Sequence, residues 1–89
     1  MYKRTVTIIN NTGLHARPAS DFVKEAKKYE SAITIKKVNG GDAVNAKSIM
    51  RLLSAGFSKG TVAEITAEGS DENVAVDALV ALIESGFGE

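Results

Sequence analysis

Apolar and polar positions along this chain follow two rhythms, and the changes of rhythm mark its elements. From Tyr2 to Ile9 the residues are rich in β-branched side chains, and the stretch reads as a first strand. Asn10-Asn11-Thr12-Gly13 is a turn signal that ends it. From Ala16 to about Tyr29 the spacing becomes helical. Ala19, Phe22, Val23, Ala26 and Tyr29 form one apolar stripe, leaving Lys24, Lys27 and Lys28 toward solvent. Strand rhythm returns from Ala32 to Val38, with Ile33 and Ile35 on one face and Thr34 and Lys36 on the other. Asn39-Gly40-Gly41-Asp42 reads as a hairpin connection, since Asn-Gly supplies the positive φ that tight turns need. A short strand over about residues 43–46 follows.

Ser48 looks like the N-cap of a short helix, Ile49-Met50-Arg51-Leu52-Leu53-Ser54, stopped by Gly56. A 3.6-residue period cannot bury Ile49, Met50, Leu52 and Leu53 together, so at least one faces outward. The next strand alternates cleanly. Thr61, Ala63, Ile65 and Ala67 share one face, and Val62, Glu64, Thr66 and Glu68 share the other. Ser70 is expected to cap a last helix that opens on Asp71 and Glu72, acids placed where the helix dipole favours them. Its stripe reads Ala75, Ala78, Leu79, Leu82 and Ile83, and Gly86 marks its end. The order β-α-β-β-α-β-α predicts an α+β protein. The expected form is an open-faced β-sandwich, a four-stranded mostly antiparallel sheet with three helices on one face. With no linker, repeat or low-complexity segment, residues 1–89 read as a single domain.

Composition narrows the chemistry. There is no cysteine, which excludes disulfides, thiolate nucleophiles and cysteine-ligated metals. One histidine and acids without ligand spacing leave no metal constellation, and no cofactor is expected. The stretch Met1-Tyr2-Lys3-Arg4-Thr5-Val6 lacks the apolar run of a signal peptide, and Val74 to Ile83 is too short to span a bilayer. A cytoplasmic location is expected, without membrane insertion. Net charge is zero but lopsided: all eleven Lys and Arg precede residue 61, and seven acids follow it unaccompanied by any basic residue. Zero net charge and few aromatics argue against nucleic acid. An acidic protein surface is the better partner for the basic portion, although clustering on a solvated surface is the simpler explanation of charge alone.

The only histidine, His15, lies in Gly13-Leu14-His15-Ala16-Arg17-Pro18-Ala19. Proline is at home in the first turn of a helix, so His15 falls at or just before a helix start. Such a start presents unpaired N–H groups and partial positive charge, which suit an anion. A nitrogen nucleophile, the Arg17 guanidinium and an anion-binding helix end together suggest a histidine that carries a phosphoryl group. Ser48 needs no more explanation than its cap, yet a phosphate there would also be tolerated against a helix start.

These residues bear a close resemblance to a known family. Gly13-Leu14-His15-Ala16-Arg17-Pro18-Ala19 resembles the active-site signature of HPr, the histidine-containing phosphocarriers of the bacterial phosphoenolpyruvate:sugar phosphotransferase system. Asn45-Ala46-Lys47-Ser48-Ile49-Met50 resembles that family's regulatory-serine signature in its Gram-positive form. The resemblance spans essentially the whole chain, including the element order and the terminal Gly-Phe-Gly-Glu. It implies that His15 accepts a phosphoryl group on Nδ1 from Enzyme I and passes it to IIA components of sugar permeases, with Arg17 helping to hold it. Ser48 would be modified by HPr kinase/phosphorylase, and the modified form would bind a catabolite-control transcription factor. Ala16, Arg17, Lys24, Ile49, Met50 and Leu53 would form the docking face of a monomeric carrier. The chain departs from the pattern in three places. Residues 38–43 are about two longer than usual, which predicts a longer hairpin away from the active site. Arg51 adds a basic residue after Ile49-Met50, and Thr12 stands where Ser or Asn is usual. Alternatives remain at this point: a regulatory paralogue that does not feed permeases, or a small enzyme or nucleic-acid-binding domain on the same element order. An enzyme would want a second polar catalytic group, and the sequence offers none.

Overall fold

The computed structural model describes residues 1–89. Its elements run β1 (Tyr2–Thr7), α1 (Ala16–Ala26), β2 (Ala32–Lys37), β3 (Val44–Asn45), α2 (Ile49–Ala55), β4 (Val62–Glu68) and α3 (Glu72–Glu84), followed by a 3-10 turn over Gly86–Gly88. The sheet order is β1-β4-β2-β3, and every neighbouring pair is antiparallel. Register follows the alternation: Val6 opposes Ala63, and Ile65 opposes Ile35, so one face is apolar. The helices cover that face. Phe22, Ile8, Ile33, Ile35, Leu52, Ile65, Leu79 and Ile83 are its largest fully buried side chains. The predicted open-faced α+β sandwich is therefore the observed fold.

Several boundaries shift for local reasons. Helix α1 ends at Ala26 rather than near Tyr29, because Lys28 and Tyr29 bond back only three residues, to Glu25 and Ala26, tightening the chain into a turn. Tyr29 stays partly buried, and its hydroxyl donates to Glu25 at 3.0 Å. Strand β1 stops at Thr7 rather than Ile9, although Ile8 still bonds across to Thr61 and Gly60. Strand β3 keeps only Val44 and Asn45 of the expected 43–46.

The last helix corrects two expectations. Its cap residue is Asp71, not Ser70, whose hydroxyl instead donates to Glu30. Its buried stripe is Ala75, Val76, Leu79, Val80 and Ile83, whereas Ala78 and Leu82 are only half-buried. The helix is apolar on most of its circumference, so periodicity alone could not fix which stripe faces the sheet.

Asp71 also ties the α1–β2 turn to the start of α3. Its carboxylate accepts from the N–H groups of Glu30 (2.9 Å) and Ser31 (3.0 Å) and from the Ser31 hydroxyl. The Ser31 hydroxyl above all, and then the Glu30 N–H, hold the carboxyl below the usual carboxylate range; Glu25, Glu72 and Glu89 are displaced the same way. A group whose pKa is lowered on folding stabilises the fold above its unfolded value and loses that contribution as pH falls through the folded one. Stability should therefore be level near neutrality and decline below about pH 4. Urea midpoints at neutral and acid pH should show the decline, and Asp71→Asn should flatten it.

Candidate functional site

The site is built where the β1 run gives way to α1. Gly13 donates to the Asn10 carbonyl at 3.1 Å, closing a turn, and its φ of +66° is a conformation that favours glycine. A Cβ on Gly13 would collide with the Phe57 carbonyl oxygen and lie 2.8 Å from Ser58 Cα. This close approach lets Leu14, buried and bonded to the Phe57 carbonyl at 2.8 Å, pin the loop. Asn10, also buried, donates to the Gly13 carbonyl at 2.8 Å from the other side.

His15 follows as the N-cap of α1, in extended backbone, but its side chain does not cap the helix. The ring is exposed and makes no hydrogen bond within the chain. Ala16 has φ +53°, one of two non-glycine residues with positive φ, the other being Phe87. Such backbone conformations persist only where the surroundings impose them, and they gather at functional sites. Pro18 is buried in the first turn and contributes no N–H. His15 supplies no side-chain cap, so no cap bond occupies the first-turn N–H groups of α1. Arg17 is exposed, and its Nε lies 3.8 Å from Asp21 Oδ2, one helical turn on.

His15 shares a shallow depression with Thr12, Leu14, Leu53, Gly56, Phe57 and Ser58. Leu53 brings α2 to the histidine, and Ile49, four residues earlier, lies on the same side of that helix. Only Leu52 of α2 is buried; Ile49, Met50 and Leu53 are exposed by 38%, 77% and 41%. The expected outward-facing apolar residue is thus three residues, on a helix of 7. Ser48 caps this helix, its Oγ accepting from the Arg51 N–H at 3.3 Å, and Gly56 ends it with φ +70°. Ala16 and Lys24 are exposed on α1. No residue of 38–43 lines the depression that holds His15, yet Gly41 and Asp42 border another shared with Arg51, Ala55 and Phe57, so this hairpin abuts α2.

Two carboxylates that meet Arg17 and Thr12 escaped the sequence reading. One is Asp21, which an i,i+4 search from Arg17 would have found. The other is Glu89, which accepts from the Thr12 N–H (3.2 Å), the Thr12 hydroxyl (2.9 and 3.1 Å) and Asn10 Nδ2 (3.2 Å). Seventy-seven residues separate Thr12 from Glu89, and no local pattern announces the pair. No three His, Asp or Glu side chains converge as a metal site, and no helix is long and apolar enough to cross a membrane.

An open-faced sandwich that presents one unencumbered imidazole at an uncapped helix start, with exposed apolar side chains beside it, defines a class: small group carriers that work by docking. Comparison with known proteins gives the family. The chain matches the family described as PTS HPr component phosphorylation site over residues 2–85. It is 48% identical over 83 residues to phosphocarrier protein HPr of Haemophilus influenzae, covering 93% of this chain and 95% of that one. A crystal structure of HPr from Thermoanaerobacter tengcongensis superposes with a TM-score of 0.94 at 54% identity, covering 100% of this chain and 98% of the other. The solution structure of Crh, described as the Bacillus subtilis catabolite repression HPr, gives 0.67 at 43% identity, with coverages of 92% and 95%. The chain belongs to the HPr family: it is a phosphocarrier of the phosphotransferase system, not a stand-alone catalyst.

Proposed function

We propose that His15 is the phosphoryl acceptor and that the chain takes the group from Enzyme I, charged by phosphoenolpyruvate, and delivers it to IIA components of sugar permeases in the cytoplasm. The observation that carries this reading is the exposed imidazole of His15, free of hydrogen bonds, beside the open first-turn N–H groups of α1. In the forward step the Nδ1 lone pair attacks phosphorus, the bond from phosphorus to the donor breaks, and the donor keeps that electron pair. The product is a phosphoramidate whose oxygens face the helix N–H groups. Arg17 assists by exchanging Asp21 for the phosphoryl oxygens, and an exposed guanidinium makes that exchange inexpensive. Weak holding matters, because the group must be surrendered to the next protein. Incubation with Enzyme I and phosphoenolpyruvate should give an acid-labile, base-stable phosphoprotein, and adding IIA should discharge it. Stable retention of the phosphate in the presence of IIA would instead favour a regulatory paralogue, the reading to which similarity to Crh lends support.

Ile49, Met50 and Leu53, with Ala16, Arg17 and Lys24, form the docking face in this reading. Ser48 is its regulatory point, phosphorylated by HPr kinase/phosphorylase, the modified form being recognised by a catabolite-control transcription factor. Its Oγ caps the helix that carries the apolar face, so a phosphate there sets negative charge at the rim of the docking surface. Ser48→Asp keeps a capping oxygen and adds charge. It should leave thermal unfolding nearly unchanged and slow loading by Enzyme I, roughly tenfold at low salt and less at high salt. An unaltered loading rate would reject the coupling.

A further inference from the structure

Arg51 breaks a local rule of the helix it belongs to. Ser48 caps α2, which places Ile49, Met50 and Arg51 in the first turn, with no acid among them. The third of these positions is the one from which a side chain reaches back to the cap residue, and Glu or Gln is the usual occupant. A guanidinium cannot accept the cap N–H, and a cation in the first turn opposes the helix dipole. Nothing inside the chain compensates. Arg51 is exposed, and its guanidinium makes neither an ion pair nor a hydrogen bond. A local rule broken without a gain inside the fold marks a residue kept for another purpose.

The surroundings indicate which. Arg51 lines a depression with Ser48, Asn45, Val44 and Ala43, between β3 and the start of α2, and is the one charged residue there. Asn45 commits Oδ1 to the Lys47 N–H at 2.9 Å, which leaves its Nδ2 donors free. Lys47, next to the serine in sequence, is engaged elsewhere, its Nζ donating to the Tyr29 carbonyl at 2.6 Å. The depression therefore offers donors and a single cation, and no carboxylate. His15 lies in a different one, to which neither Ser48 nor Arg51 contributes. We propose that Arg51 is the built-in partner of a phosphate on Ser48: its guanidinium reaches back three residues, takes the phosphoryl oxygens and holds them in the depression beside β3. The planar fork of arginine matches a phosphate with two parallel N–H donors. The residue that suits the unmodified helix poorly thus suits the modified one, and phosphorylation tightens the start of α2. This assignment rests on the reading of Ser48 as the regulated residue.

The full chain is made by chemical synthesis with phosphoserine at position 48, as parent, Arg51→Gln and Lys47→Gln. Phosphorus NMR across the pH range reads the second ionisation of the phosphate. Removing a paired cation disfavours the dianion. Arg51→Gln should therefore lower that ionisation constant by about threefold, the scale of an exposed charge pair, and Lys47→Gln should lower it less. The phosphate should also raise the thermal midpoint more in the parent than in Arg51→Gln. Glutamine suits the capping position, so a merely structural role for Arg51 leaves the ionisation unmoved. Equal constants in parent and Arg51→Gln, equal changes of midpoint in those two chains, or an equal response to Lys47→Gln overturns the proposal. Failure of HPr kinase/phosphorylase and ATP to modify the parent at Ser48 is a separate result. It overturns the regulatory reading of Ser48, and this inference with it.

Discussion

Replacing His15 by alanine should abolish phosphoryl transfer, not merely slow it. A general base or a binding contact can be lost with residual activity, but a covalent carrier has no second route once its nucleophile is gone. No other side chain in the depression is a nitrogen nucleophile: Thr12, Leu14, Leu53, Gly56, Phe57 and Ser58 complete it. The exposed ring makes no hydrogen bond and contributes no cap, so its removal should move the unfolding midpoint by no more than an ordinary surface substitution, within about 0.5 kcal/mol. The measurement is acid-labile labelling by Enzyme I and phosphoenolpyruvate, with circular dichroism as the control for folding. Labelling of a folded His15→Ala protein at the parent's level would refute the assignment.

Gly13→Ala should be the most damaging single methyl group near the site. It opposes a positive φ, and its Cβ meets the Phe57 carbonyl and the Ser58 backbone, neither of which can turn aside as a flexible side chain would. The cost should be about 3 kcal/mol or more, unless the loop rearranges. Either response displaces Leu14, whose N–H is anchored on that same carbonyl, and with it the start of α1. Urea unfolding should show the loss of stability. At temperatures where the variant is still folded, loading by Enzyme I should fall by at least about tenfold, since an ångström of misplacement is enough to lose that much. A variant of parental stability and rate would mean that this approach of loop to strand connection is not needed.

The sequence was most legible where one local rule decided the outcome. Alternation in residues 62–68 defined both faces of β4, and Ser48 and Gly56 bracketed α2 as expected. Gly13 to Ala19 announced a helix start with its histidine, because proline and the turn before it are local signals. Legibility failed where two long-range partners competed with a local rule. Ser70 and Asp71 are equally good N-caps by type, and Asp71 holds the boundary while its carboxylate reaches across to Ser31, 40 residues away. The stripe of α3 was misplaced because Val76 and Val80 are as apolar as the residues chosen. Glu89 at Thr12 could not be read at all, since a contact across the fold leaves no period or spacing behind it.

The position of β4 in the sheet has a consequence for how the carrier comes into being. Strands β1 and β2 do not pair with each other; each pairs with β4, which lies between them. The segment that leads into β4 also carries Phe57, the support of Leu14. During synthesis, therefore, the histidine is made early but remains on an unanchored segment until residues 57–68 have emerged and closed the sheet. These pairings are non-local, so loop closure opposes them until the central strand is available. A nascent chain has its nucleophile long before it has a place to hold a phosphoryl group, and the two are joined only when the sheet closes.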